Sequence, residues 1–250
     1  MHYIFLPVYN EEAALGAVIA SLDAVSAKVK TPFHILVVND GSTDGTGRVL
    51  DAFRDRDGFT VLSHERNRGI DAVFRTGIEF LAAHASADDT MVLMEADDTN
   101  DVASLPPMLS ALKDGHDIVI ASRFVPGGRL IGFPFWRSIP CRIVNRMLRA
   151  IFAVEHVTDY TIFFRGYSMG LLKRGVEAYG SRLIETVGFV ANAEILLKLS
   201  ALGPRIHEVP LVYRYNLKQS KSKLKIAFTI RQYLKLIMNR DHQRRIPAAP

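Results

Sequence analysis

The chain has 250 residues, 48% of them hydrophobic and 23% charged, which excludes a disordered chain and allows a sizeable buried core. Its single cysteine, Cys141, excludes an intrachain disulfide framework and a cysteine metal cluster, and makes a reducing, cytoplasmic setting the default. The net charge of +5 is unevenly spread, acidic residues favouring the first half and basic residues the second, so an anionic partner is expected: nucleic acid, membrane or phosphate. No stretch reaches the roughly 18 uninterrupted apolar residues of a transmembrane helix. The opening Met1-His2-Tyr3 leads straight into a short apolar run, so no signal segment is expected.

Residues 3–8 read as a first strand, with Pro7 near its end. Residues 11–28 follow as a helix, with Leu15, Val18, Ile19, Leu22 and Val25 at helical spacing. Residues 33–39 form a second strand, 43–54 a helix with Asp44 in its first turn, and 60–63 a short strand. Residues 69–84 form a helix bearing Val73, Phe74, Ile78 and Leu81, followed by a strand at 90–95. A helix at 105–113, with Pro106-Pro107 near its start, leads to a strand at 117–122. Strands and helices alternating at this pitch predict a parallel, doubly wound sheet.

Beyond Arg123 the pattern changes. Residues 125–134 read as a long irregular loop, and 139–152 as a helix with Arg142, Arg146 and Arg149 on one side. Strands are predicted at 161–164 and 206–213, with a helix at 191–202 between them and a closing helix at 227–238. The whole chain, 1–250, reads as one domain: a nucleotide-binding half to about residue 122 and an acceptor-handling half from 123.

Two acidic clusters carry the chemistry. One is Val37-Val38-Asn39-Asp40-Gly41-Ser42-Thr43-Asp44-Gly45, the other Met91-Val92-Leu93-Met94-Glu95-Ala96-Asp97-Asp98. An apolar run stopped by carboxylates reads as a buried parallel strand opening into a loop, and in open α/β sheets ligands bind outside those strand ends. Glu95 and Asp97 fall on the same side of an extended segment, where they suit a hard cation, Mg2+ or Mn2+, that also holds a pyrophosphate. That is the chemistry of a nucleotide-sugar enzyme; an isolated acidic turn is the bland alternative. Arg123, ending the last parallel strand, could grip a phosphate at two points. Three rival classes differ in recognisable ways. A nucleotidyltransferase needs a glycine-rich, basic phosphate loop after strand one, and Pro7–Glu11 is not one. A nucleic-acid-binding protein would use the basic half without any nucleotide sugar, and a non-catalytic sugar-nucleotide-binding partner would keep the first half without turnover.

Eight motifs in order point further: Pro7-x-Tyr9-Asn10-Glu11; the run from Asn39 to Thr46; Asn67-Arg68-Gly69; Glu95-Ala96-Asp97; Ala121-Ser122-Arg123-Phe124; Asp159-Tyr160-Thr161 with Phe164-Arg165; Glu208-Val209-Pro210; and Ser222-Lys223-Leu224-Lys225. Together they resemble family 2 glycosyltransferases of the GT-A fold, nearest the polyprenyl-phosphate (dolichyl-phosphate) mannosyl- or glucosyltransferases. The resemblance implies a Rossmann-like, mostly parallel sheet flanked by helices, with a C-terminal helical extension on the acceptor side. It implies inverting, metal-dependent transfer from GDP-mannose or a UDP-sugar to a polyprenyl phosphate, and no nucleic acid. In that scheme Pro7, Tyr9, Glu11, Asp40 and Ala96 hold the nucleotide, with Tyr9 on the base and Asp40 accepting from a base N–H. Glu95, Asp97 and Thr99 hold the metal; Asp97, Arg123 and Arg214 are catalytic. Arg137, Asp159, Thr161, Glu194 and Lys223 serve the acceptor.

The chain also departs from the family pattern. Glu95 stands where Asp is usual, Asp71 where Gly is common, and Ile162-Phe163-Phe164 where a smaller Ser-Gly-Phe is the rule. Asp44 reads as a helix cap rather than a ligand, and Asn10 as a candidate cap for the first helix. A hydroxyl acceptor would need a carboxylate base, for which Glu185, Glu194 and Asp159 are the candidates.

Over residues 221–240 a helical wheel sets Lys221, Lys225, Arg231 and Lys235, with Arg240 at the edge, against Ile226, Ala227, Ile230, Tyr233, Leu234 and Ile237. Phe228 and Leu236 interrupt the polar face. Such a helix either lies in an anionic membrane surface, placing the protein at its cytoplasmic face, or docks its apolar stripe on the domain; the two readings weigh equally.

Overall fold

The structure, a computed structural model, describes residues 1–220 and 226–239, with the side chains of Arg137 and Ile226 outside the description. In chain order the first half is β1 (His2–Val8), α1 (Glu12–Val29), β2 (Phe33–Asn39), α2 (Thr46–Asp51), β3 (Phe59–Ser63), α3 (Ile70–His84), β4 (Thr90–Leu93), α4 (Leu105–Lys113) and β5 (Ile118–Ser122). The second half is β6 (Arg129–Ile131), α5 (Phe135–Phe152), β7 (Arg165–Ser168), α6 (Met169–Tyr179), α7 (Ala191–Ser200), β8 (Ile206–Pro210), β9 (Val212–Arg214) and α8 (Ile226–Met238).

Seven strands form one sheet in the order β3-β2-β1-β4-β7-β5-β8, all parallel except β7, which runs antiparallel between β4 and β5. The register Ile4↔Ile35 and Ile4↔Val92 centres the sheet on fully buried β1 residues. Helices cover both faces, so the central strands are continuous apolar runs rather than alternating ones. The chain builds outward from β1 to β3, then crosses back to β4 on the other side of β1. That reversal opens a crevice outside the carboxyl ends of β1 and β4.

The antiparallel strand begins at Arg165, so the predicted strand at 161–164 is corrected. Oδ1 of Asp159 accepts from the backbone N–H groups of Thr161 and Ile162, both at 3.2 Å. This side-chain turn diverts the backbone from the ladder until Arg165, which pairs with Leu93 and Ile120 at the edge where the parallel strands end. The helix α6 that follows is absent from the sequence reading; Ser168 caps it by accepting from Leu171 N. The predicted strand 206–213 breaks at Leu211, whose N–H bonds Ser122 O; beyond it β9 pairs with β6 in a separate two-stranded sheet.

Helix α8 docks on the domain, and the predicted stripe is corrected. Its covered residues are Tyr233 (8% exposed), Gln232 and Leu236 (1%), whereas Phe228, Ile230, Leu234 and Met238 are exposed. Lys221, Lys223, Lys225 and Arg240 lie outside the described residues.

Candidate active site

A cavity of about 780 Å³ opens outside the ends of β1, β2 and β4 and continues between α5 and α8. Its volume falls in the range of small-molecule and cofactor sites. Pro7, Tyr9, Glu11, Asp40, Asn67, Arg68 and Gly69 line one part of it.

Asp40, 2% exposed, organises that part. Its Oδ1 accepts from Arg68 N at 2.9 Å and lies 2.7 Å from His64 Nδ1, while Oδ2 accepts from Gly69 N at 2.9 Å. The other ring nitrogen of His64 is 2.9 Å from Thr76 Oγ1. A carboxylate expected to read the base thus already holds the loop 64–69. Gly41 has φ +63, and a Cβ there would stand 2.4 Å from the Arg66 carbonyl carbon, so this close crossing requires glycine. The loop after β1 is tied to the loop after β2: Asn10 N donates to Ser42 Oγ, and Asn10 Oδ1 accepts from Thr43 N. Asn10 therefore does not cap α1. Asp44 accepts from Thr46 N and Glu12 N, at the starts of α2 and α1.

Glu95, Ala96 and Asp97 line the floor beyond β4. Oδ1 of Asp97 accepts from the backbone N–H (3.2 Å) and the hydroxyl (2.6 Å) of Thr99. Thr99 is fully buried and absent from the lining, so its hydroxyl orients Asp97; its expected role as a ligand is corrected. Oε2 of Glu95 accepts from Asn100 Nδ2 at 2.5 Å. Burial, and then the charge of Asp97, push the Glu95 carboxyl up to about 7. Among the described residues no cluster of three or more His, Cys, Asp or Glu is placed to hold a metal alone. Two carboxylates facing one cavity are the hard-oxygen donors that Mg2+ or Mn2+ takes when a diphosphate and water complete the shell, so the residues fit such an ion. Oδ2 of Asp97 accepts from Lys218 Nζ, a residue the sequence reading passed over.

Arg123 lines the same cavity from the end of β5. Its Nε donates to Asp159 Oδ2 at 2.7 Å; its Nη2 donates to Asp159 Oδ1 at 2.8 Å and to Thr161 Oγ1 at 2.7 Å. Burial opposes the charge, but Asp159 outweighs it and the guanidinium is held protonated well above its usual range. For Asp159, burial likewise opposes ionisation and Arg123 prevails, holding the carboxyl below its usual range. Asp159 is fully buried and touches no cavity surface, so it positions Arg123 and Thr161 rather than meeting an acceptor, a correction to its expected role. Glu208 fixes the base of this arrangement, accepting from Thr158 N, Thr158 Oγ1 and Asp159 N. Thr161 does line the cavity. Arg214 does not: its guanidinium pairs with Asp101 at 2.8 Å, although its N–H bonds Thr99 O at 2.7 Å beside the carboxylates.

The far wall is apolar. Phe163 stacks on Phe189 with centroids 5.6 Å apart, and Phe133, Val144, Val187, Phe228, Ile230 and Tyr233 complete it. Asp71, the departure from glycine, helps set this wall: its Oδ1 accepts from Gly188 N at 2.8 Å. Glu194 does not reach the cavity, a correction. Fully buried, it takes Lys198 Nζ on Oε1 (2.8 Å), and the Glu185 N–H and both the N–H and hydroxyl of Thr186 on Oε2. It holds the loop 185–186 to α7. Glu185 also pairs with Lys198 and is absent from the lining. The side chain of Arg137 and all of Lys223 lie outside the described residues. The aromatic wall and Lys218 were not singled out from sequence; only the bulky Ile162-Phe163-Phe164 run hinted at the former.

Comparison with known proteins agrees with this geometry. The family model described as glycosyl transferase family 2 matches residues 3–177. The undecaprenyl-phosphate mannosyltransferase of Micrococcus luteus is 30% identical over 214 residues, covering 83% of this chain and 81% of its own. The polyprenol monophosphomannose synthase of Mycolicibacterium smegmatis is 27% identical over 212 residues, covering 84% and 76%. In fold, the chain is similar to the crystal structure of glucosyl-3-phosphoglycerate synthase from Mycobacterium tuberculosis in complex with Mn2+, uridine diphosphate and phosphoglyceric acid. That match has a TM-score of 0.65 at 18% identity and covers all of this chain and 80% of that one.

Proposed function

The chain belongs to glycosyltransferase family 2, and we propose that it transfers a sugar, with inversion, from a nucleoside-diphosphate donor to a polyprenyl phosphate. One observation carries this reading: a single cavity has strand-end carboxylates and Arg123 on one side and an aromatic wall on the other. A nucleoside diphosphate needs the first side, and an isoprenoid chain suits the second.

In this reading Tyr9, Glu11 and the loop held by Asp40 receive the nucleoside. Glu95 and Asp97 would hold Mg2+ or Mn2+, which when bound neutralises the diphosphate as it leaves. Arg123 supplies a fixed positive charge for a phosphate, since Asp159 and Thr161 lock its orientation. A lipid phosphate is already anionic near neutral pH, so it attacks without a strong general base. The wall formed by α5, α8 and residues 161–163 and 187–189 contributes no carboxylate among its described lining residues, and Asp71, which lines the cavity beside it, is engaged by Gly188 N and Arg75. Glu194 and Asp159 are enclosed in ion pairs, and Glu185 is off the cavity. These facts favour the anionic acceptor over a saccharide hydroxyl. The apolar wall also keeps water from the donor.

Among the described residues no helix is long and apolar enough to cross a membrane. Access to a lipid would come through α5 and α8, between which the cavity opens. Both expose apolar and basic residues, and neither contains an acidic one. The relatives named for undecaprenyl phosphate and polyprenol support the lipid acceptor. The test is a turnover assay with a panel of UDP- and GDP-sugars, polyprenyl phosphate and Mg2+ or Mn2+. Transfer to a soluble hydroxyl acceptor, with none to the lipid phosphate, would overturn the acceptor reading.

A further inference from the structure

The segment leaving β9 runs back over the strand ends and is fastened at two of them. Lys218 donates its ammonium to Oδ2 of Asp97, and Ser220 donates its hydroxyl to Oε1 of Glu11 at 3.2 Å. Asp97 follows β4 and Glu11 follows β1, so the two fastenings span the crevice at the reversal of strand order. The segment's start is fixed as well: Arg214 N bonds Thr99 O at 2.7 Å, and Lys218 N bonds Tyr215 O at 3.1 Å.

The Lys218–Asp97 pair is largely enclosed, its side chains 14% and 8% exposed. Oδ1 of Asp97 is already engaged by Thr99, so Oδ2 is the oxygen a cation in the cavity would reach. Lys218 occupies it. An ammonium and a dication on the same carboxylate oxygen repel each other strongly where water is excluded. One must leave for the other to bind.

We propose that Lys218 is a competing cation at the metal-ligating carboxylate, and that residues 215–220 form a strap which a divalent ion must displace before the donor can seat. The proposal rests on the metal reading of Glu95 and Asp97 given above. Its consequence is that a divalent ion alone binds the free enzyme weakly, because each binding event must break the pair. A nucleoside diphosphate assists by offering the released ammonium another anion.

The test titrates Mn2+ into the full chain without nucleotide, following free Mn2+ by electron paramagnetic resonance, with folding checked by thermal melts. The proteins are wild type, Lys218→Gln, Lys218→Met, Lys218→Arg and Asp97→Asn. Removing the amine should tighten Mn2+ binding at least about fivefold in both neutral variants, the lower end of usual coupling between sites. Lys218→Arg should keep the weak affinity of the wild type, and Asp97→Asn should lose binding. Unchanged or weaker Mn2+ affinity in the Gln and Met variants, with Asp97→Asn still losing it, would overturn the competition and leave the metal reading standing. Mn2+ binding that ignores Asp97→Asn, or that is undetectable in every protein, would overturn both.

Discussion

Asp159 grips Arg123 at two points, Nε to Oδ2 at 2.7 Å and Nη2 to Oδ1 at 2.8 Å, with the carboxylate wholly enclosed. The pair joins the end of β5 to the turn before β7, and the same carboxylate shapes that turn through Thr161 N and Ile162 N. One residue therefore fixes both the guanidinium in the cavity and the point where the antiparallel strand begins.

Asp159→Asn should therefore destabilise the fold at neutral pH, by about 3–5 kcal/mol, the usual cost of breaking a buried ion pair from one side. The sign with pH follows from the depressed carboxyl. The stabilisation is fully present above the unfolded-state value, about 3.9, and is lost as pH falls through the lower folded-state value. Urea unfolding of wild type and variant should differ at pH 7 and converge in strong acid. A difference that is constant with pH would show that charge is not the source.

Asp97→Asn should reduce turnover by at least about 100-fold; the variant should still fold, with a lowered melting temperature, because Lys218 loses the counter-charge that pairs it in a largely enclosed site. Chelation of divalent ions should produce the same loss in wild type and be reversed by Mg2+ or Mn2+. Near-normal turnover in the folded variant would remove Asp97 from the metal site.

The first half of the fold was legible because its strands are continuous apolar runs ended by polar residues, as at Val37–Asp40 and Met91–Glu95. The second half was less so, for reasons that lie in particular residues. A run such as Ile162-Phe163-Phe164 has strand composition, yet Asp159 captures its backbone. In α8 the helical period was read correctly but the face was not, because Leu236 is buried where the wheel placed polar residues. At the site, the strand-end carboxylates were visible in sequence, whereas what each carboxylate bonds was not. Lys218 meets Asp97 across 121 residues of sequence, and Glu194 is spent on Lys198 and a neighbouring loop. Periodicity carries no information about a pair as distant as Lys218 and Asp97, whereas the i,i+4 spacing of Glu194 and Lys198 on α7 was open to it.

Asp71→Ala should loosen the aromatic wall without touching the carboxylates. It removes the acceptor for Gly188 N, a bond spanning 117 residues between part-buried groups, at a cost of about 0.5–1.5 kcal/mol, the usual net worth of one hydrogen bond. The expected kinetic signature is a raised KM for the lipid acceptor, with nucleoside-diphosphate affinity little changed. Asp71→Asn, which keeps an accepting oxygen, should restore most of the loss. Equal damage to donor and acceptor constants would mean that the loop 187–189 serves both ends of the cavity.

The membrane-facing reading makes a prediction that a single fluorophore can report. Trp136 is the only tryptophan and is 61% exposed at the start of α5, next to Phe135, which is 78% exposed. Further along the same helix Ile139, Ile143 and Met147 are exposed among Arg142, Arg146 and Arg149. An apolar and cationic surface of this kind gains from an anionic bilayer twice, by burying side chains among the acyl chains and by charge attraction. Vesicles of phosphatidylglycerol and phosphatidylcholine should therefore shift Trp136 emission to the blue, and vesicles of phosphatidylcholine alone should do so weakly. Changing Arg142, Arg146 and Arg149 to Gln should weaken binding by about 1 kcal/mol per charge and flatten its dependence on salt. The corresponding change of Arg231 and Lys235 on α8 should add to it, because both helices border the same cavity mouth. Emission unmoved by anionic vesicles, in a protein that still transfers sugar to a detergent-dispersed polyprenyl phosphate, would show that the lipid comes to the enzyme without α5 entering the membrane surface.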